Sequence, residues 1–202
     1  MIETEIKLIF ESVEAARQAV QTAGGRLAVS SRLIDDRLFD TPGQSLRQAG
    51  GSLRVRRDGA RAFITFKGPV QPGAHKSREE VETSVGDATV AEAIVIALGF
   101  QPVFRAQKHR EEYELGGAHV TVDQTPMGVF VEIEARDELI APVARSLGRS
   151  PDDYRLESYP RLWWEWCAAH DMPAQDMMLT DGAADLPPSR GASADRRSLG
   201  GG

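Results

Sequence analysis

An α+β fold, rich in antiparallel strands and flanked by helices, is what this sequence predicts. Three observations lead there. Alternating polar and apolar runs outnumber helical stripes, and Asp58-Gly59 is a strong hairpin turn between two of those runs. One face of the alternating runs carries Arg, Lys, Glu and Asp rather than a loose polar mixture. The 202 residues, 41% of them hydrophobic, can bury one sizeable core, so a single domain is the default.

The elements follow in order. "MIETEIKLIF" puts Glu3, Glu5 and Lys7 on one side of a strand and Ile2, Ile6 and Leu8 largely on the other. "SVEAARQAVQTAGG" predicts a helix capped by Ser12, striped by Ala16, Ala19 and Val20, and stopped at Gly24-Gly25. After "DTPGQSLRQAGG", read as a turn with a short helix or loop, "SLRVR" and "AFITFK" are antiparallel neighbours across "RDGAR". "SREEVETSV" alternates, and "DATVAEAIVIALGF" is a helix capped by Asp87 and ended near Gly99. Three strand-like runs come next: "AQKHREEYEL", "AHVTVDQTP" and "GVFVEIEA". "IAPVARSLG" and "SYPRLWWEWCAAH" are helical, the second with Ser158 as cap, Pro160 in its first turn, and Leu162, Trp163 and Trp166 as a packing stripe. The tunnel-forming domain is expected over residues 1–171. From Met172 to Gly202, composition without periodicity predicts a disordered tail.

The charged faces recur on every strand. Arg54 pairs with Arg56, Thr65 with Lys67, and Arg78 with Glu80 and Glu82; Lys108, Arg110 and Glu112 share a face, as do Thr121 and Asp123, and Glu132 and Glu134. An open sheet could leave such faces wet. A closed barrel would turn them inward, its apolar outside covered by the amphipathic helices, and the interior would then need opposite charges, metal or ligand to satisfy it. Glu3, Glu5, Glu80, Glu82, Asp123, Glu132 and Glu134 are hard oxygen donors suited to Mg²⁺ or Mn²⁺, and the scarcity of His and Cys among them disfavours zinc. Lys7, Arg54, Arg56, Lys67, Arg78, Lys108 and Arg110 suit a polyanion with several phosphoryl groups.

Other classes are disfavoured. A net charge of −6 argues against a broad surface for duplex nucleic acid, and a single cysteine, Cys167, excludes an internal disulfide and a cysteine-built zinc site. With no signal core, spanning apolar run or Walker-type loop, a cytoplasmic protein without a membrane partner is expected.

In combination these residues resemble the CYTH proteins, or triphosphate tunnel metalloenzymes, a superfamily that includes class IV adenylate cyclases, thiamine triphosphatases and inorganic triphosphatases. The likeness rests on the ExExK signature at Glu3, Glu5 and Lys7, followed in order by "FDTP", "LRVR", "TFKG", "REEVE", "KHR", "VDQTPMG" and "VEIE". It implies an eight-stranded antiparallel tunnel. It also implies that Glu3 and Glu5 belong to a metal and water-activating set with Glu132 and Glu134, that Lys7, Arg54, Arg56, Lys67 and Arg110 bind triphosphate with Lys108 added, and that Glu80, Glu82 and Asp123 form a second acidic group. His75 and Lys76 are read either at the tunnel mouth or on a mobile loop, and His109, facing outward, is given no chemistry. Two departures stand out. Leu38 replaces a Tyr that mammalian-type thiamine triphosphatases carry, and the region where some members supply a late Lys offers only Arg155 or Arg161.

The expected activity is Mg²⁺- or Mn²⁺-dependent hydrolysis of a triphosphate small molecule: tripolyphosphate, a nucleoside triphosphate or thiamine triphosphate. Class IV adenylate cyclase chemistry is the alternative, and a non-catalytic polyphosphate- or nucleotide-binding module is the third reading. A 5′-triphosphorylated RNA end and a homodimer are left open.

Overall fold

Eight strands form because eight segments can place an apolar row outside and a polar row inside, and their pairing order closes on itself. A computed structural model describes residues 2–179. The strands are β1 (Ile2–Phe10), β2 (Arg26–Asp40), β3 (Ser52–Asp58), β4 (Arg61–Lys67), β5 (Lys76–Val85), β6 (Gln101–Leu115), β7 (Ala118–Thr125) and β8 (Gly128–Glu134). They pair in the cyclic order β1-β5-β4-β3-β2-β6-β7-β8, and β8 returns antiparallel to β1, so the sheet is a closed barrel. The helices are α1 (Val13–Thr22), α2 (Ser45–Gln48), α3 (Ala88–Ala97), α4 (Asp137–Ser146) and α5 (Tyr159–Ala169), with a 3₁₀ turn at Pro151–Asp153. None of the described helices is long and apolar enough to cross a membrane.

Local chemistry sets the boundaries. Ser12 Oγ accepts from Ala15 N–H at 3.1 Å to start α1, and a Cβ at Gly25 would sit 2.5 Å from Val20 Cγ1, so the chain can turn away there only as glycine. Asp87 caps α3 by accepting from Thr89 and Val90 N–H at 2.6 and 3.1 Å. Gly59 holds the β3–β4 hairpin with φ of 59°.

Most of the hydrophobic core lies outside the barrel wall. Ile6, Leu8, Val120, Val131 and Ile133 pack under Ala16 and Val20 of α1 and Ile140 and Val143 of α4. Val55 and Ala62 pack under Ala91 and Val95 of α3. At one end of the barrel the packing is inside instead: Phe104 and Ala106 on the inward face of β6 and Phe130 on that of β8 pack under Trp163 and Cys167 of α5. Burying a side chain such as Leu8 or Ile133 contributes roughly 1.5–3 kcal/mol, so the apolar outer faces tie the wall to its helices and leave the polar faces pointing in.

The structure differs from expectation at four places. β2 occupies a stretch the alternation did not reveal, because its register slips between Leu27 and Val29, Val29 and Arg32, and Leu38 and Phe39, and each slip breaks the two-residue period. Helix α4 begins at Asp137, three residues before the apolar stripe, and tolerates Pro142 inside it. Ser158 stands at the N-cap of α5 without a side-chain capping bond. The tail boundary at 172 is too early. Met177 is fully buried, its N–H donates to Arg105 O at 2.9 Å and its carbonyl accepts from Gln107 N–H at 2.7 Å, so the chain is docked on β6 at Met177. The remainder of the expected tail, 180–202, lies outside the described residues.

That docking repairs the wall. β7 meets β6 only from His109 onward, and Met177 bridges to Ala106 on the stretch that β7 leaves open. A second repair lies across the barrel. β5 pairs with β1 only as far as Glu5, and beyond it Lys7 exchanges backbone bonds of 2.9 and 2.8 Å with Arg155.

Candidate active site

The inward faces enclose a cavity of about 820 Å³. Glu3, Glu5, Lys7, Arg54, Arg56, Lys67, Arg78, Glu80, Glu82, Lys108, Arg110, Glu132 and Glu134 line it. Asp123, the remaining candidate, is fully buried behind that surface.

Strand register sets opposite charges across from one another. Arg56 faces Asp36, Lys67 faces Glu80, Glu5 faces Lys76, Lys7 faces Glu132 and Arg110 faces Asp123. Arg56 donates in a bidentate fork to Asp36 at 2.7 and 2.8 Å, and Arg110 forks onto Asp123 at 2.6 Å through both bonds while also pairing with Glu132. Lys108 and the Tyr159 hydroxyl each donate to Asp123 at 2.7 Å, so four donor bonds converge on one carboxylate. Tyr159 also lies under Lys108 and Lys7, their Nζ atoms 4.2 and 5.3 Å from its ring centroid. Lys67 reaches both Glu3 and Glu80 at 2.7 Å, Lys76 pairs with Glu5, and Lys7 stands 3.3 Å from both Glu5 and Glu132.

Burial and these partners set the protonation states. Burial would raise Glu5, Asp36 and Glu132, yet the neighbouring Lys and Arg groups hold all three well below the usual carboxylate range. Burial, reinforced by Lys7 and Arg110 respectively, lowers Lys76 and Lys108 to about 8. Glu3 is raised by burial, by its hydrogen bond with Glu80 and by the charge of Glu5; Glu134 is raised by burial and by Glu3. Arg54 is lowered by burial and by Arg56, and its Nε is a buried donor without a protein partner, as Thr121 Oγ1 is a buried hydroxyl without one. A buried guanidinium lining a cavity is chemistry for an anion.

A divalent cation is a different matter. Among the described residues no three Asp, Glu, His or Cys side chains are gathered as a ready-made metal cage, because Lys67, Lys76 and Arg78 stand among the acids. The donor chemistry at Glu3, Glu5 and Glu134 fits a hard cation nonetheless. Glu5 and Glu134 are directly opposite across β1 and β8, and burial together with neighbouring acids raises Glu3 and Glu134.

Several interior groups escaped the sequence reading. Asp36 was hidden because its face neighbours on β2 are the apolar Ile34 and Leu38, and Tyr159 by the tryptophans that follow it. Lys76 carried a signal, since it continues the alternation of Arg78, Glu80 and Glu82, and the structure buries it inside rather than on a loop. His119 lies 3.3 Å from Glu112 and 4.0 Å from Glu134, on the face that Thr121 and Asp123 already defined. Arg155 contributes backbone only and its side chain is exposed, while Arg161 pairs with Glu165 at 2.5 Å along α5. His75 pairs with Asp137 at 2.7 Å, and His109 is exposed on the outer face.

A closed antiparallel tunnel lined by paired acids and bases is the architecture of one protein class, and the comparisons agree. The CYTH domain family model matches residues 1–147, and the chain belongs to that family. Adenylate cyclase CyaB of Aeromonas hydrophila is 30% identical over 174 residues, spanning 79% of this chain and 87% of that one. MJ0240 of Methanocaldococcus jannaschii, a proposed adenylate cyclase, is 28% identical over 173 residues, spanning 80% and 98%. Among solved structures, the PH1819 protein of Pyrococcus horikoshii superposes with a TM-score of 0.69 at 26% identity, covering 81% of this chain and 98% of that one. HpAC1 from Hippeastrum, a proposed adenylyl cyclase described as having a dominant triphosphatase activity, shares the fold with a TM-score of 0.59 at 15% identity, covering 81% and 95%.

Proposed function

We propose that this protein hydrolyses triphosphate-containing small molecules with Mg²⁺ or Mn²⁺. The observation that carries the reading is the set of inward cations, Lys7, Arg54, Arg56, Lys108 and Arg110 among them, around an open cavity. Arg54 and Arg56 would fork onto phosphate oxygens, and Lys7, Lys108 and Arg110 would neutralise the chain as point charges and forks. Asp123 and Tyr159 hold Lys108 and Arg110 in place for that contact. A divalent cation held by Glu3, Glu5 and Glu134 would supply charge neutralisation at the phosphoryl oxygens. The two signature glutamates differ. Without metal, Glu3 is pushed up by burial and its acidic neighbours, so it gains most from a bound cation, while Glu5 is kept ionised by Lys7 and Lys76.

Class IV adenylate cyclase chemistry is the second reading, favoured by the name of the 30% identical relative. There the ribose 3′-hydroxyl of ATP would attack the α-phosphorus and diphosphate would leave. Product analysis separates the two: with Mg²⁺ or Mn²⁺, conversion of tripolyphosphate to phosphate and diphosphate should exceed formation of cyclic AMP from ATP. Cyclic AMP with stoichiometric diphosphate as the main product would reverse the ranking. Binding of tripolyphosphate without product from either substrate would leave a binding module.

A further inference from the structure

The charged tunnel opens at one side onto a wall of different character. Phe104 precedes Ala106, Lys108 and Arg110 on the inward face of β6, and it faces Leu38 in the register with β2. Trp164 of α5 meets Phe104 edge to face with ring centroids 6.1 Å apart, and the Arg47 guanidinium lies 4.9 Å from the Trp164 ring centroid. Arg47, Val103, Phe104 and Trp164 line the tunnel cavity and also a neighbouring cavity of about 420 Å³, whose remaining wall is Ala174, Gln175 and Asp176. That last wall is firmly held. Trp163 Nε1 donates to Gln175 O at 2.8 Å, Arg105 N–H donates to Asp176 Oδ1 at 2.8 Å, and Met177 beside it is fully buried.

Inorganic polyphosphate has no use for such a surface. Apolar and aromatic groups gain nothing from an anion, whereas a flat ring gains by stacking and by leaving water. Spacing favours one substrate spanning both regions. From Phe104 to Lys108 a strand advances roughly 13 Å at about 3.3 Å per residue, so a phosphate chain held at Lys108 and Arg110 leaves its organic end beside Phe104 and Trp164.

We propose that the side cavity between Trp164, Arg47 and residues 174–176 is a subsite for the base of a nucleoside triphosphate, so that residues beyond the family match choose the substrate's organic head. This rests on the triphosphate reading of the tunnel and narrows it. Trp164 with the Arg47 guanidinium stacked over it offers aromatic surface and N–H donors for a base edge, and the 174–176 segment a polar rim.

Equilibrium binding in metal-free buffer, where turnover is not required, tests the subsite. The probes are the β,γ-methylene analogue of ATP and tripolyphosphate, measured on the full chain and on the Trp164→Ala and Arg47→Ala variants, with melting curves as a check of folding. Wild type should bind the analogue at least tenfold more tightly than Trp164→Ala does, and Trp164→Ala should leave tripolyphosphate affinity within twofold. Arg47 is exposed, so its variant reports on the subsite even if removal of Trp164 disturbs folding. Arg47→Ala should weaken the analogue about three- to tenfold and tripolyphosphate less than twofold. Equal losses for both probes, or no loss for either, would overturn the proposal. Selective loss of the analogue in a protein that hydrolyses nothing would uphold the subsite and sink the hydrolase reading. Failure of wild type to bind either probe would sink both.

Discussion

Two parts of the same tunnel handle charge in opposite ways. Around β6, β7 and β8 every strong charge is answered: Asp123 accepts from Arg110 twice, from Lys108 and from Tyr159, and Glu132 is held ionised by Lys108, Lys7 and Arg110. Around the start of β1 and the end of β8, Glu5 faces Glu134, and Glu3 and Glu134 are both pushed toward the protonated form. The first region is saturated and keeps its shape by itself. In the second, burial and neighbouring acids outweigh the cations at Glu3 and Glu134, and a cation that relieved this would stabilise the fold on binding. Buried carboxylates can therefore build a scaffold or a site, depending on how many donors reach each one.

The largest effect should come from cutting into the saturated region. Asp123→Ala leaves Lys108, Arg110 and the Tyr159 hydroxyl without their shared acceptor, and should cost about 3 to 5 kcal/mol in denaturant unfolding. A loss below 1 kcal/mol would mean that the region is not held together by its charges.

Next comes Arg56, whose fork onto Asp36 points into the cavity, compared with Arg57, which pairs outside with Glu92 and with Thr89 at 3.3 Å. Arg56→Ala should weaken tripolyphosphate binding by about 1.5 to 3 kcal/mol, since charge-assisted contacts are lost. Arg57→Ala should leave binding unchanged; equal damage from both would show that the inward register carries no ligand.

Acidity gives a third contrast. Because the folded pKa values of Glu3 and Glu134 are raised above 4.5, they weaken the metal-free fold when ionised, and that penalty is relieved as pH falls from neutral through their folded values. Glu5, Asp36, Asp123 and Glu132 are depressed, so their stabilisation is present above the ordinary carboxylate range and is lost as pH falls below it. Metal-free melting temperature should thus rise modestly on mild acidification and collapse under stronger acid. At the alkaline end, Lys76 and Lys108 lose their protons near pH 8, so tripolyphosphate affinity should fall through that range, and Lys108→Arg should flatten the fall.

The smallest change in stability should also have the opposite sign. Glu134→Gln removes repulsion, so the metal-free melting temperature should stay equal or rise slightly, while stabilisation by added Mg²⁺ or Mn²⁺ shrinks and metal-dependent turnover is lost. A marked fall in metal-free stability with an unchanged metal response would make Glu134 a structural partner instead.

Period-two alternation made most of the barrel legible in the sequence, because a residue pair such as Arg54 and Arg56 or Glu132 and Glu134 can share a face in only one way on a straight strand. Asp36 escaped because it shares its inward face with Ile34 and Leu38 rather than with other charges, so "LIDDRL" shows no charged stripe. Tyr159 and Met177 escaped for another reason. Each enters the tunnel region through a contact with a strand far away in the chain, Asp123 for one and Arg105 and Gln107 for the other, and no local periodicity encodes such a meeting. Lys76, by contrast, was readable from its phase with Arg78.

The two backbone repairs, Arg155 on Lys7 and Met177 on Ala106, also fix when the tunnel can exist. A nascent chain emerges from its first residue onward, and Lys7 has nothing to pair with at that position until almost all of the described chain has been made. Contacts of such high sequence separation are slow to form because loop closure must precede their reward. During synthesis the charged faces therefore stay hydrated, and the step that seals them, docking of the last segments, coincides with the step that forms the proposed subsite beside Trp164.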